Sequence, residues 1–202
     1  MKFIKAKTFP NMIDLLKTVY SKNSSFNFLD FGGEEIDQYL VLKKEFKNMN
    51  YFLMNQAKIN EDFKFLIKKY NFDNFYIIDK EEDILNFEYD FVNFGSVIQY
   101  VPNYKSILNS IFKKTKKYIL FSGTIFFEDT QRNDIIVKQI NMWPNKMYSY
   151  FINYMTFIQI FKKNNFCIEF EKNNTTNNIN FHNFDFYKFK NIFYKDLFFK
   201  KN

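Results

Sequence analysis

Two of the chain's four glycines, Gly32 and Gly33, stand side by side after the apolar run that ends Leu29-Asp30-Phe31. A helical pattern follows, and its first turn carries Glu34, Glu35 and Asp37. Glycine is used where the backbone needs positive φ or where another group must come close. The other two glycines, Gly95 and Gly123, close the runs Tyr89-Asp90-Phe91-Val92-Asn93-Phe94 and Tyr118-Ile119-Leu120-Phe121-Ser122. All four therefore fall at the carboxyl ends of expected strands, the edge at which open α/β sheets bind ligands. A dinucleotide fingerprint, G-x-G-x-x-G, needs glycine where Glu34 and Asp37 stand, and no P-loop lysine is present. Phosphate is repelled from such a turn. A cationic ligand, such as a sulfonium that also bears an ammonium group, is tolerated. The same acids also complement the helix dipole, at about 0.3–1 kcal/mol each, and the sequence leaves both roles open. Either role argues against NAD and ATP.

The elements that position this turn follow from periodicity. Residues 10–20 read as an amphipathic helix with Met12, Leu15, Leu16 and Val19 on one face, and 21–25 as a polar break. The first strand is 26–31, followed by a helix over about 34–47, a strand over 51–55 and a helix opening near Ile59 or Asn60. Then come a strand over 75–79, a charged turn over 80–83, a strand over 89–94, a helix after Pro102 and a strand over 118–121. Five such repeats predict a Rossmann-like, doubly wound, mostly parallel α/β sheet. After Gly123 the rhythm breaks. Residues 124–148 form a connection longer than ordinary loops, expected to be a lid or an acceptor-binding insertion within a single domain spanning 1–202. Residues 149–163 read as a helix, 166–171 as a sixth strand, 173–180 as an Asn/Thr loop, and 184–189 as a seventh, antiparallel edge strand.

With 202 residues, 30 Phe, 14 Tyr and a 47% hydrophobic share, the chain can bury a sizeable core. Its net charge of +7 is spread along helices rather than gathered in one long basic run, which favours a solvated face over a nucleic-acid partner. Nucleic-acid binding would in any case show steeply salt-dependent retention. The single cysteine, Cys167, excludes a disulfide framework, and one His with one Cys cannot build a zinc site. Residues 1–10 have charges at 2, 5 and 7 and no apolar leader segment, and no run of about 18 apolar residues follows. A cytoplasmic chain without a membrane span is expected.

With its five repeats placed, the chain resembles class I S-adenosylmethionine-dependent methyltransferases, and most of all a bacterial group found among surface-polysaccharide genes. The segments that carry the resemblance are Leu29-Asp30-Phe31-Gly32-Gly33, then Gly95-Ser96-Val97-Ile98-Gln99-Tyr100, then Asp134 to Gln139 and Met147-Tyr148-Ser149-Tyr150. It covers roughly residues 25–171. It implies S-adenosylmethionine as cofactor, held by Asp30, Phe31, Gly32, Gly33, Glu34, Asn55, Gln56, Asp79, Asn93, Gly95 and Ser96. It also implies an acceptor oxygen on a capsular or surface carbohydrate precursor, small or nucleotide-linked, and allows a homo- or hetero-oligomer. Two departures stand out. Glu34 and Ile36 replace loop glycines, and Asn55-Gln56 stand where an acid grips the cofactor ribose. An amide still hydrogen-bonds a hydroxyl, at about 0.5–1.5 kcal/mol against 1.5–3 for a charged partner. Asp79 is either the adenine contact or a plain turn acid.

Methyl transfer from a sulfonium asks chiefly for alignment and exclusion of water. Tyr100, Gln139 and Tyr148 are the acceptor-side candidates, though Tyr100 serves equally well as a packing residue. The one histidine, His182, lies in the Asn-rich loop, and no general base stands out. The departures support a second reading, a methyltransferase-like subunit that has lost cofactor affinity and serves a partner. Gly33 is expected to sit where the backbone meets the amino-acid end of the cofactor, so that valine there blocks binding through bulk and through its resistance to positive φ.

Overall fold

In the computed structural model, residues 10–129, 133–142, 145–173 and 192–202 are described. Thus His182, the expected strand over 184–189, Trp143-Pro144 and nearly all of the Asn/Thr loop lie outside the described residues. The described elements run α1 (Pro10–Val19), β1 (Phe26–Phe31), α2 (Ile36–Glu45), β2 (Met49–Met54), α3 (Ala57–Tyr70), β3 (Phe75–Ile78) and β4 (Tyr89–Gly95). They continue as α4 (Tyr104–Lys114), β5 (Thr115–Phe127), β6 (Ile135–Met142), β7 (Asn145–Asn153), α5 (Tyr154–Lys163), β8 (Phe166–Asn173) and β9 (Ile192–Lys201). Short 3-10 turns occupy Glu81–Asn86 and Ile98–Tyr100.

The main sheet has the order β3-β2-β1-β4-β5-β9-β8, with β1 to β5 parallel and β9 antiparallel to both β5 and β8. This is the expected doubly wound, mostly parallel sheet with an antiparallel pair at one edge. β1 and β4 are neighbours that continue in opposite directions across the sheet, which opens a crevice above their carboxyl ends. Strand alternation sends Phe26, Phe28, Tyr51 and Phe91 to one face, where α1, α2 and α3 bring Met12, Leu16, Tyr39, Leu42 and Phe63. Leu29, Val92, Ile119 and Phe121 go to the other face, beneath Ile107 and Ile111 of α4 and Phe157 and Phe161 of α5. The phenylalanines interlock by stacking, as in Phe94 on Phe121 at 4.8 Å between ring centroids and Phe161 on Phe199 at 3.9 Å. No described helix is long and apolar enough to cross a membrane.

The larger departures in element type and order follow Gly123. β5 runs on to Phe127, and the long connection folds into the antiparallel hairpin β6–β7, whose end joins β5 through Phe126↔Ile152 and Phe127↔Asn153. Residues 149–153, expected to be helical, form the end of β7. Over residues 148–151 burial alternates with period two, Ser149 and Phe151 buried and Tyr148 exposed, and Ile152 and Asn153, where β7 joins β5, are buried as well. The helix starts only at Tyr154, where the Asn153 side chain accepts the Thr156 N–H at 3.1 Å. Among the described residues, the antiparallel strand of the main sheet is Ile192–Lys201, and it lies between β5 and β8 rather than at the outermost position.

Candidate functional site at the carboxyl edge of the sheet

Asp30, on the last turn-ward step of β1, faces α2 and is 1% exposed. Its Oδ2 accepts from the Tyr51 hydroxyl at 2.5 Å and from Gln38 Nε2 at 2.5 Å. Its Oδ1 accepts from Asn93 Nδ2 at 2.9 Å, directly across the β1–β4 register. Burial pushes the Asp30 carboxyl up to about 6, while the bonds from Tyr51 and Asn93 pull it back down. Asn93 Nδ2 thus spends one N–H on Asp30, and its buried Oδ1 has no hydrogen-bond partner among the described residues.

Above Asp30 the chain turns through Gly32, which has φ +82 and donates its N–H to Met54 O at 2.8 Å. Here the structure corrects the expectation for Gly33, because the left-handed residue is Gly32 and not Gly33. A Cβ on Gly33 would lie 2.1 Å from Asp30 Oδ2 and 3.0 Å from Leu53 Cδ1. The close approach that requires glycine at 33 is therefore made by the chain's own Asp30. Phe31 is buried in the opposite core against Phe94, so only its backbone faces the turn. Glu34 and Glu35 are exposed at the start of α2.

The end of β2 is tied to this turn. Asn55 Nδ2 donates to Gly33 O at 2.7 Å, its Oδ1 accepts from the Gln56 N–H at 2.7 Å, and its own N–H donates to Asn60 Oδ1 at 3.1 Å. Asn60 Nδ2 in turn donates to Ile78 O at 3.1 Å. Gln56 is exposed. Asp79, just past β3, is paired with Lys64 at 2.5 Å, both groups about half exposed. At the end of β4, Ser96 takes φ +51 and its N–H donates to Ser122 O at 2.7 Å. Gln99 Nε2 donates to Ser96 O at 2.9 Å and to Gly123 O at 3.4 Å, and its buried Oε1 has no partner among the described residues.

The acceptor-side candidates do not converge in the same way. Tyr100 is half-buried in the 3-10 turn beside Tyr194 of β9, whose phenol is raised to about 12 by burial and then by Tyr100. Tyr148 is 63% exposed on the hairpin, with Lys138 Nζ 5.9 Å from its ring centre. Gln139 lies opposite Met147 in the β6–β7 register, and its side chain is outside the described residues. Sequence reasoning missed Tyr51, Gln38, Asn60 and Tyr194. Tyr51 reads as one more core aromatic in an apolar strand, and only its partner, a carboxylate on the neighbouring strand, distinguishes it.

Chemically, the edge offers a glycine turn that is acidic and free of lysine. Beside it are an unpartnered buried acceptor at Asn93 and exposed polar side chains at Gln56 and Asp79, where β2 and β3 end. No family model matches the sequence, and no curated protein matches it. Solved structures do. The chain superposes on magnesium protoporphyrin IX methyltransferase of Synechocystis PCC 6803 with bound SAM, at a TM-score of 0.63 and 11% identity over 97% of this chain and 79% of that one. It superposes on the N-terminal domain of EvdMO1 in the presence of SAH and D-fucose at 0.64 and 10%, over 94% and 82%. For the StiE O-MT fragment the values are 0.65 and 12%, over 95% and 73%. The fold is that of class I S-adenosylmethionine-dependent methyltransferases.

Proposed function

We propose that the chain is an S-adenosylmethionine-dependent methyltransferase that acts on an oxygen of a surface-carbohydrate precursor, small or nucleotide-linked, in the cytoplasm. The observation that carries the reading is the glycine turn over a buried Asp30 at the β1–β4 crevice, with Asn93 Oδ1 left unpartnered beside it. These residues fit the cofactor. The turn from Gly32 to Glu34 and Asn93 would hold its amino-acid end, Gln56 its ribose and Asp79 its adenine. Bound there, the cofactor supplies the methyl group on a sulfonium. The protein's part is to orient it and to keep water from the acceptor, for which Tyr100 and the hairpin residues Gln139 and Tyr148 are the candidates. An oxygen acceptor of sugar type is supported by the likeness to a domain solved with SAH and D-fucose and to the StiE O-MT. A radiometric transfer assay with labelled cofactor and a panel of hydroxylated sugars and nucleotide sugars tests this. Label appearing in at least one sugar is expected. Label in none of them, from protein that binds the cofactor, overturns the carbohydrate assignment.

A second reading is favoured by specific contacts. Both polar ends of the Asn55 amide are already engaged within the chain, and Asp79 is paired with Lys64. A chain that has turned its ribose and adenine contacts inward fits a cofactor-free subunit of a homo- or hetero-oligomer. Thermal shift separates the two, because a ligand at 100 times its Kd adds about 2.7 kcal/mol of stability. A clear upward shift with cofactor alone removes the reason for the subunit reading.

A further inference from the structure

The carboxylate of Asp30 is wholly enclosed, yet each of its hydrogen-bonded partners is uncharged: Tyr51 from β2, Gln38 from α2 and Asn93 from β4. A buried carboxylate without a cationic partner is costly and is ionised only where several well-placed donors hold it. Two of those donors, Tyr51 and Gln38, converge on Oδ2, the oxygen that fills the place a Cβ on residue 33 would take.

We propose that Tyr51 and Gln38 are positioning residues that keep Asp30 ionised beneath the Gly32–Gly33 turn, so that an ammonium-bearing ligand is bound only by the Asp30-ionised form of the site. The proposal rests on the cofactor reading above, since the amino-acid end of that cofactor carries the ammonium group. The titratable side chains on the elements packed against Asp30 are few. β2 contributes Tyr51, whose phenol burial holds far above its ordinary range, so that it remains a donor. α2 and its preceding turn contribute Glu34, Glu35 and Asp37, Tyr39, which donates to Asp73 O at 2.8 Å, and at the far end of the helix Lys43, Lys44 and Glu45. β4 contributes Asp90, which accepts from the Asn27 N–H at 3.0 Å and pairs with Lys117 at 3.3 Å. The cations among them, Lys43 and Lys44, stand in the last turn of α2, where Lys43 Nζ donates to Met49 O at 3.5 Å, and the hydrogen bonds to Asp30 come from Tyr51, Gln38 and Asn93. The burial that raises Asp30 to about 6 is opposed by the Tyr51 bond, so loss of that hydroxyl moves the carboxyl further up.

The test uses Tyr51→Phe, which keeps the ring against Phe28, Tyr39 and Phe75, and Gln38→Met as a second variant should the first not fold. The Asp30 carboxyl is titrated by carbon NMR in ligand-free protein. Binding of S-adenosylhomocysteine and of 5′-methylthioadenosine, which lacks the ammonium, is measured from pH 5 to 8. We expect the Asp30 midpoint to rise by about one pH unit in either variant. Affinity for S-adenosylhomocysteine should fall about tenfold per unit below the midpoint, with 5′-methylthioadenosine unaffected. An Asp30 midpoint unchanged in a folded variant overturns the positioning role. Affinity for S-adenosylhomocysteine that is constant through the midpoint overturns the ammonium coupling. Absence of any S-adenosylhomocysteine binding, with the midpoint still shifted, overturns the cofactor reading and the coupling with it, and supports the positioning role alone.

Discussion

Replacing Gly33 by alanine puts a methyl group where Asp30 Oδ2 already sits, 2.1 Å from the new carbon. The carboxylate must move away from at least one of its donors. We expect Gly33→Ala to lower stability by about 1–3 kcal/mol, read by chemical denaturation, and Gly33→Val to cost more. Asp30 also gives the fold a pH dependence of definite sign. Its folded-state value of about 6 lies above the ordinary 3.8, so it favours the folded chain fully below about 4, and this contribution is lost as the pH rises through 6. The total is about 3 kcal/mol. Glu45 and Glu171 are held below the ordinary carboxylate range, chiefly by bonds from Lys17 and Tyr154, and act in the opposite sense only at lower pH. Between pH 5 and 7.5 the wild-type melting temperature should therefore fall relative to that of Asp30→Asn. Parallel curves for the two proteins would contradict the placement of Asp30. At this scale the glycines and acids were legible, because glycine is scarce and every occurrence asks for a reason. The partners of Asp30 were not, because a tyrosine in an aromatic-rich strand and a glutamine in a polar helix carry no mark of what they touch across the fold.

The hairpin β6–β7 depends on Asp134. This carboxylate accepts from the Tyr104 hydroxyl at 2.7 Å and the Asn153 N–H at 3.0 Å, and it pairs with Lys105 at 2.8 Å. It thereby joins the base of the hairpin to the first turn of α4 and to the start of α5. Asp134→Ala leaves a buried phenol and a backbone N–H without these bonds, at about 1–3 kcal/mol. Hydrogen exchange should quicken in β6 and β7 while β1 and β4 stay protected; equal protection in the variant would show that Asp134 does not hold the hairpin. Removing the cap of α5 by Asn153→Ala should cost about 1 kcal/mol, measured by thermal denaturation. The strands and helices up to Gly123 could be read because each alternates cleanly between periods of two and 3.6. The hairpin could not, since β6 mixes apolar residues with Lys138 and Gln139, and the Tyr148-Ser149-Tyr150-Phe151 run suits either period until burial decides.

Across the whole molecule, the β1–β4 switch point brings Asp30, Asn93 and the Gly32–Gly33 turn to one edge, with α1, α2 and α3 on one face of the sheet and α4 and α5 on the other. That arrangement follows from alternating strands and helices joined by right-handed connections, which is why the fold class was legible from periodicity alone. The placement of β9 between β5 and β8 was not, since its pairing with β5 spans more than sixty residues of sequence, and neither was the hairpin, whose residues carry no clean period. Whether the chain holds this cofactor is decided by calorimetric titration of the folded protein with S-adenosylhomocysteine. Saturable heat at one site per chain, weaker at pH 5 than at pH 7.5, is expected. No detectable heat at millimolar ligand, from protein that melts cooperatively, would contradict it.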